Sequence, residues 1–167
     1  DFITAPEVAP VFSRCVAAQC AEVLQSLGGG DVLEIGAGSG VMAAAMLAEL
    51  EVLQSLPARY LILDVSADLR ERQRETLAAA VPHLLERVRW LDRLPDRLAG
   101  VVVANEVLDA MPVERFVLRD GFIRSLDVEW RAGRFDCVES PAAPGLRGRI
   151  ERVVTQAGAH WPGRYSA

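Results

Sequence analysis

Short apolar runs alternate along the first two thirds of the chain with longer stretches in which apolar residues recur every three or four positions. That alternation of strand-like and helix-like periods predicts an α/β fold built on a parallel sheet with right-handed crossovers. In residues 6–27 Val8, Phe12, Cys15, Val16, Val23, Leu24 and Leu27 follow helical spacing. They predict one amphipathic helix, with Thr4 as its cap and Glu7 three positions on. Gly28-Gly29-Gly30 ends that helix, and residues 31–35 read as a buried strand. Residues 40–56, rich in Ala, Leu and Met, form the first crossover helix. A second strand follows at residues 60–63, ending at Asp64, and Ser66 caps the helix that carries Leu69 and Leu77. Residues 88–90 and 100–104 supply two more strands, the last reaching Asn105-Glu106 at its carboxyl end.

Beyond Pro112 the pattern changes. Apolar stretches at residues 116–118, 122–130 and 135–138 are broken by Asp120-Gly121 and Ala132-Gly133, which are hairpin signals. Pro141, Pro144 and Gly145 mark a loop, and residues 146–157 read as a polar helix. The expected organisation is a core over 1–112, a β-hairpin insertion over 113–140, and a loop and helix over 141–167.

Composition narrows the chemistry. The chain of 167 residues carries 23 acidic and 18 basic residues without a basic cluster, which argues against nucleic acid as a partner. Every basic residue is Arg and none is Lys, so lysine-dependent phosphate binding and Schiff-base chemistry are excluded. Cys15, Cys20 and Cys137 form no C-x-x-C pair, and only His83 and His160 are available, so neither a disulfide framework nor a metal site is expected. His83 reads as a surface residue. No apolar run approaches the roughly 18 residues of a membrane span, and the opening residues lack a secretory signal. The expected compartment is the bacterial cytoplasm or, in a eukaryote, the mitochondrial matrix.

The chemistry is expected at the carboxyl ends of the strands, where ligands bind in open parallel sheets. Residues 34–40, Asp64, Trp90-Leu91 and Asn105-Glu106 all fall there. The glycine spacing G-x-G-x-G of Gly36, Gly38 and Gly40 departs from the dinucleotide fingerprint, because Val41 stands where its third glycine would fall. Glu34 before the turn disfavours a pyrophosphate and suits the positive charges of S-adenosylmethionine. Asp64, 24 residues after Gly40, is spaced to accept hydrogen bonds from ribose hydroxyls. Each feature also has a purely structural reading: the turn as strand–helix packing, Asp64 as a helix start through Ser66, and Trp90 as plain core rather than an adenine contact. Glu106 and Asp109, three apart, would share one face of a helical turn, either as a pair orienting a basic acceptor or as a cap and a solvated acid.

Residues 1–7 (Asp-Phe-Ile-Thr-Ala-Pro-Glu), the loop 34–40, Asp64-Val65-Ser66 with Leu69-Arg70-Glu71-Arg72-Gln73, Trp90-Leu91, and residues 105–112 occur together in this order. Together they resemble the MidA family of class I methyltransferases, which includes the mitochondrial complex I assembly factor that methylates an arginine. The resemblance covers most of residues 1–116. It implies a Rossmann-like sheet with helices on both faces, S-adenosylmethionine as methyl donor, and a protein arginine as acceptor, on a respiratory complex I subunit or a bacterial counterpart.

By the matching motifs, Gly36, Ala37, Gly38 and Gly40 would surround the donor's methionine part and Asp64 its ribose. Trp90-Leu91 would border the adenine, with Glu34, Thr4 and Glu7 near the pocket. Asn105, Glu106 and Asp109 would carry the acceptor side, with Glu106 as the carboxylate that takes up the guanidinium proton. Ser39 stands where relatives often have an arginine. The family extends beyond this chain in both directions, and residues 160–167 resemble the approach to a further motif. The sheet is therefore expected to be incomplete at its carboxyl end, with an apolar edge open to aggregation or to homodimer pairing. Two other readings remain: a non-catalytic assembly or binding module that retains the fold, and an NAD-dependent oxidoreductase.

Overall fold

The computed structural model describes residues 4–119, 121–157 and 164–166. Of the motifs expected at the two ends, residues 1–3, 158–163 and 167 lie outside the described residues. The chain divides into two compact units, Asp1–Ala110 and Met111–Ala167.

The first unit holds four parallel strands, β1 (Asp31–Ile35), β2 (Tyr60–Leu63), β3 (Val88–Leu91) and β4 (Gly100–Ala104), in the order β3-β2-β1-β4. The order reverses at β1: the chain steps outward to β2 and β3, then returns to the other side of β1 as β4. Each strand lies where its apolar run predicts it, and β1, β2 and β4 have the expected bounds.

Helices α1 (Ala5–Val8), α2 (Pro10–Leu27), α3 (Val41–Val52) and α4 (Ala67–Ala80), and a 3-10 helix (Pro82–Arg87), complete the unit. The register sets Val32 beside Tyr60 and Val101, and Tyr60 beside Val88, so all four point to one face of the sheet. The buried core forms there, with Ala17, Cys20 and Leu24 of α2, Met46, Leu47 and Leu50 of α3, and Leu77 of α4.

Three local expectations need correction. The helix expected over residues 6–27 is broken at Ala9, which is extended at φ −156° and ψ 139°. Pro10 follows, and its ring disfavours a helical conformation in the residue before it. The Thr4 hydroxyl caps nothing; the Thr4 carbonyl accepts from the Glu7 N–H at 3.0 Å instead. The crossover helix expected to reach residue 56 stops at Val52, and Gln54 takes a left-handed φ of 53° in the turn that follows.

The second unit is an antiparallel sheet of β5 (Phe116–Arg119), β6 (Phe122–Arg131), β7 (Arg134–Pro141) and β8 (Arg164–Ser166), ordered β7-β6-β5-β8. Arg131 pairs with Arg134 across Ala132 and Gly133, whose φ values of 48° and 82° make the tight turn whose twist matches the flanking strands. Pro141, expected in a loop, instead closes β7, and α5 (Pro144–Ala157) starts two residues before the expected helix. Its Leu146 and Ile150 bury against Ala142, with Phe116 and Ile123 beside them.

Candidate functional site

The carboxyl ends of the parallel strands bring the candidate residues of the first unit together, and the glycine turn is the centre of that arrangement. Gly36, Gly38 and Gly40 all have positive φ, at 67°, 56° and 85°. At Gly40 the need for glycine is steric as well as conformational: a Cβ there would lie 2.9 Å from the Cα of Gln73 on α4. Gly38 faces open space, with nothing within 4 Å of a Cβ built on it. The turn is tied down by Gly36 N–H donating to the Leu63 carbonyl at 2.9 Å and Gly40 N–H to the Ala37 carbonyl at 2.9 Å. The Thr76 hydroxyl donates to the Ser39 carbonyl at 2.8 Å. The Ser39 hydroxyl donates to the Glu7 carboxylate, which brings α1 to the turn.

Glu34 sits on β1 between Ile62 of β2 and Val103 of β4 and is 2% exposed. The Tyr60 hydroxyl donates to it at 2.7 Å. Burial pushes the Glu34 carboxyl up to about 7; the Tyr60 hydrogen bond opposes that rise and the charge of Asp64 adds to it. Its carboxylate thus points into the core beside Tyr60, behind the turn. Tyr60 is itself raised well above its ordinary value, first by burial and then by the Glu34 charge.

Asp64, at the end of β2, is buried with both carboxylate oxygens engaged. One accepts from the Ser66 N–H at 3.0 Å and the other from the Gln73 amide at 2.9 Å. Ser66 caps α4 as expected, accepting from the Leu69 N–H at 3.3 Å. Asp64 therefore does start the helix, and its carboxylate lies at the strand end as well. Trp90 on β3 donates its indole N–H to the Gln73 side-chain carbonyl at 2.9 Å, and the Arg74 guanidinium lies 4.7 Å from its ring centroid. Two recesses adjoin these groups. One is lined by Asp64, Val65, Ala67, Arg70 and Asp92, the other by Trp90, Leu91 and the residues that follow to Asp96.

The segment after β4 also reaches the turn, since a Cβ on Gly36 would lie 3.0 Å from Val107. Residues 105–110 form no helical turn, so Glu106 and Asp109 do not share a helix face; Ala110 N–H closes a single turn on the Val107 carbonyl at 3.2 Å. Asn105 is half-buried, and Glu106 and Asp109 are exposed. Glu106 holds a left-handed φ of 53°, a conformation that costs a non-glycine residue about 1–3 kcal/mol. His83 lies on the surface, 3.0 Å from Glu51. Among the described residues no three His, Cys, Asp or Glu side chains group to hold a metal ion, and no helix is long and apolar enough to cross a membrane.

Two residues at the centre of this arrangement have no role in the sequence reading. Gln73 touches the turn, Asp64 and Trp90. Arg70 donates to the Asp64 carbonyl at 2.7 Å, to the Leu91 carbonyl at 2.5 Å and to the Asp92 carboxylate at 2.7 Å, joining the ends of β2 and β3. The signal for Gln73 is visible in the sequence: Leu69, Gln73 and Leu77 fall at i, i+4 and i+8, so a polar residue occupies the middle of an apolar helix stripe.

Comparison with known proteins agrees with this architecture. A structure of a protein from Burkholderia thailandensis bound to S-adenosyl-homocysteine is 41% identical over 100% of this chain, with a TM-score of 0.74. A second structure, of a protein of the same superfamily from that organism, is 42% identical over 100% of the chain, with a TM-score of 0.73. This chain covers 43% and 44% of those two chains, so it spans less than half the length of the structures it matches. No curated protein matches it. The family model described as "Putative S-adenosyl-L-methionine-dependent methyltransferase" matches residues 15–164, and on that match the chain belongs to this family.

Proposed function

We propose that this chain is the donor-binding part of an S-adenosylmethionine-dependent methyltransferase of the MidA type, acting on an arginine side chain of a protein. The observation that carries the reading is the open glycine turn beside the buried Asp64 carboxylate, on adjacent strand ends where the sheet order reverses. The relative crystallised with S-adenosyl-homocysteine, at 41% identity over the whole chain, supports the same ligand class here.

The residues present fit that donor. Gly38 leaves the backbone of the turn uncovered, so Gly36, Ala37, Gly38 and Gly40 can border the methionine part closely. A carboxylate has about four acceptor positions, and Asp64 uses two on Ser66 and Gln73. The remaining two suit the paired hydroxyls of a ribose. The recess beside Trp90 and Leu91 takes the adenine, and Glu7 flanks the turn through its hydrogen bond from Ser39, with Thr4 one helical turn before it accepting from the Glu7 N–H. Glu34 stands behind the turn, buried and held by the Tyr60 hydroxyl.

When bound, S-adenosylmethionine supplies an electrophilic methyl group. The chain's own part is to hold the acceptor in line with it and to manage the acceptor's proton. Glu106 is the residue for that work: exposed beside the segment that touches Gly36, its carboxylate accepts hydrogen bonds from a guanidinium and takes the proton released on transfer. Asn105 and Asp109 assist in orienting the acceptor. A respiratory complex I subunit or its bacterial counterpart is the acceptor class that the family resemblance favours.

The test is calorimetric titration of the full-length protein with S-adenosylmethionine, followed by methyl transfer to candidate proteins by wild type and Glu106→Gln. Donor binding, with transfer reduced at least 100-fold in Glu106→Gln, is the expected result. Unchanged transfer by the variant overturns the role of Glu106. Donor binding without transfer to any arginine favours the non-catalytic assembly module. NADH binding tighter than the donor favours an oxidoreductase.

A further inference from the structure

Gln73 is fully buried, yet it has more polar contacts than any neighbour in its helix stripe requires. Its amide nitrogen donates to the Gly38 carbonyl at 3.0 Å and to the Asp64 carboxylate at 2.9 Å, and its amide oxygen accepts from the Trp90 indole N–H at 2.9 Å. Both amide protons are thus used. The orientation of the amide is unambiguous: a flipped amide would set its oxygen against two acceptors and its nitrogen against a donor. The α4 backbone at Gln73 also presses on the turn at Gly40. One side chain therefore touches three separate segments, namely the glycine turn, the end of β2 and the end of β3.

We propose that Gln73 is a positioning residue of the donor site, fixing the glycine turn, the Asp64 carboxylate and the Trp90 ring in one arrangement before the donor arrives. The inference rests on the donor-site reading above. Asp64 accepts from a neutral amide on one oxygen and a backbone N–H on the other, so its remaining acceptor positions have a set direction, and the Asp64, Gln73 and Trp90 side chains are already ordered when a ligand binds. Trp90 has spent its only donor on Gln73, so it meets a ligand through its ring and not through a hydrogen bond. Losing the Gln73 amide leaves a buried carboxylate, a carbonyl and an indole N–H each short of a partner, on three surfaces of the same crevice.

The experiment is the dissociation constant of S-adenosyl-homocysteine, measured calorimetrically on the full-length protein below the thermal midpoint of every variant. Gln73→Glu sets a carboxylate against Asp64 and Gly38 and is expected to weaken binding at least 10-fold. Asp64→Asn faces the Gln73 amide with a second donor and is expected to weaken it as well. The double variant, Gln73→Glu with Asp64→Asn, restores a donor–acceptor pair with its direction reversed, and its weakening is expected to be at least threefold smaller than the product of the two single effects. A residue that only fills space would not produce that rescue. A double variant weakened by the full product of the two single effects overturns the proposal, as does Gln73→Glu binding within threefold of wild type. Should Gln73→Glu fail to fold, Gln73→Met keeps the volume without the hydrogen bonds: weakening of at least fivefold supports the proposal, and wild-type affinity overturns it. If wild type itself does not bind S-adenosyl-homocysteine, the donor reading falls and Gln73's role falls with it, whereas binding by wild type and variants alike removes the role of Gln73 alone.

Discussion

Replacing Glu34 with Gln separates the cost of a buried charge from the rest of the fold. In the unfolded chain this carboxyl titrates near its ordinary value of 4.5; in the folded chain burial has pushed it up to about 7. Between those values the folded state holds a proton that the unfolded state has released, so stability falls as pH rises from 4.5 to 7 and levels off above. At 1.36 kcal/mol per pH unit, the loss from this one group is about 3 kcal/mol by pH 8. Gln has nearly the same shape, its carbonyl can still accept from the Tyr60 hydroxyl, and it carries no charge at any pH. Its extra N–H groups add a cost that does not depend on pH. Urea denaturation of wild type and Glu34→Gln, followed by circular dichroism from pH 4.5 to pH 8.5, is the assay. The variant should gain on wild type by about 3 kcal/mol between pH 4.5 and pH 8, whatever its offset at the acid end. A difference that stays constant across this range would refute the reasoning, because it would mean that Glu34 titrates alike in both states.

Two further substitutions test the frame around the site. Gly40→Ala forces a side chain onto a backbone with φ 85° and to within 2.9 Å of the Gln73 Cα, so denaturation should reveal a loss of about 1–3 kcal/mol; an unchanged midpoint would show that the turn is not held against α4. Ser66→Ala removes the hydroxyl that accepts from the Leu69 N–H and should cost about 0.5–2 kcal/mol, read by the same method. Stability equal to wild type would mean that the Asp64 carboxylate on the Ser66 N–H carries the helix start alone.

Much of the first unit was legible because its signals are local. Runs of four or five mostly apolar residues located β1, β2 and β4: β1 and β2 are buried in the sheet, whereas β4 is an edge strand, with Val102 53% exposed, and is marked by its Gly-Val-Val-Val-Ala run alone. Ser66 was readable as a cap for the same reason: its bond reaches only three residues along the chain. The break at Ala9 is invisible in the apolar spacing of residues 6–27, which continues through it, while the conformational restriction imposed by Pro10 acts on a single residue. Over residues 105–110 a three-residue spacing of acids fits both a helix and an irregular turn, and the left-handed backbone at Glu106 gives the latter.

The succession of strands and helices, the glycine turn with Asp64 downstream, and the identity of the side chains offered at the strand ends are all local, each a property of a few neighbouring residues. Packing between distant segments sets how those side chains are used. It turned Glu34 into the core against Tyr60, engaged both oxygens of Asp64, and made Gln73 the shared partner of residues 35, 9 and 17 positions away in sequence. Burial and hydrogen bonding between distant segments set the charge and direction of a polar group, and those contacts exist only once the strands have paired.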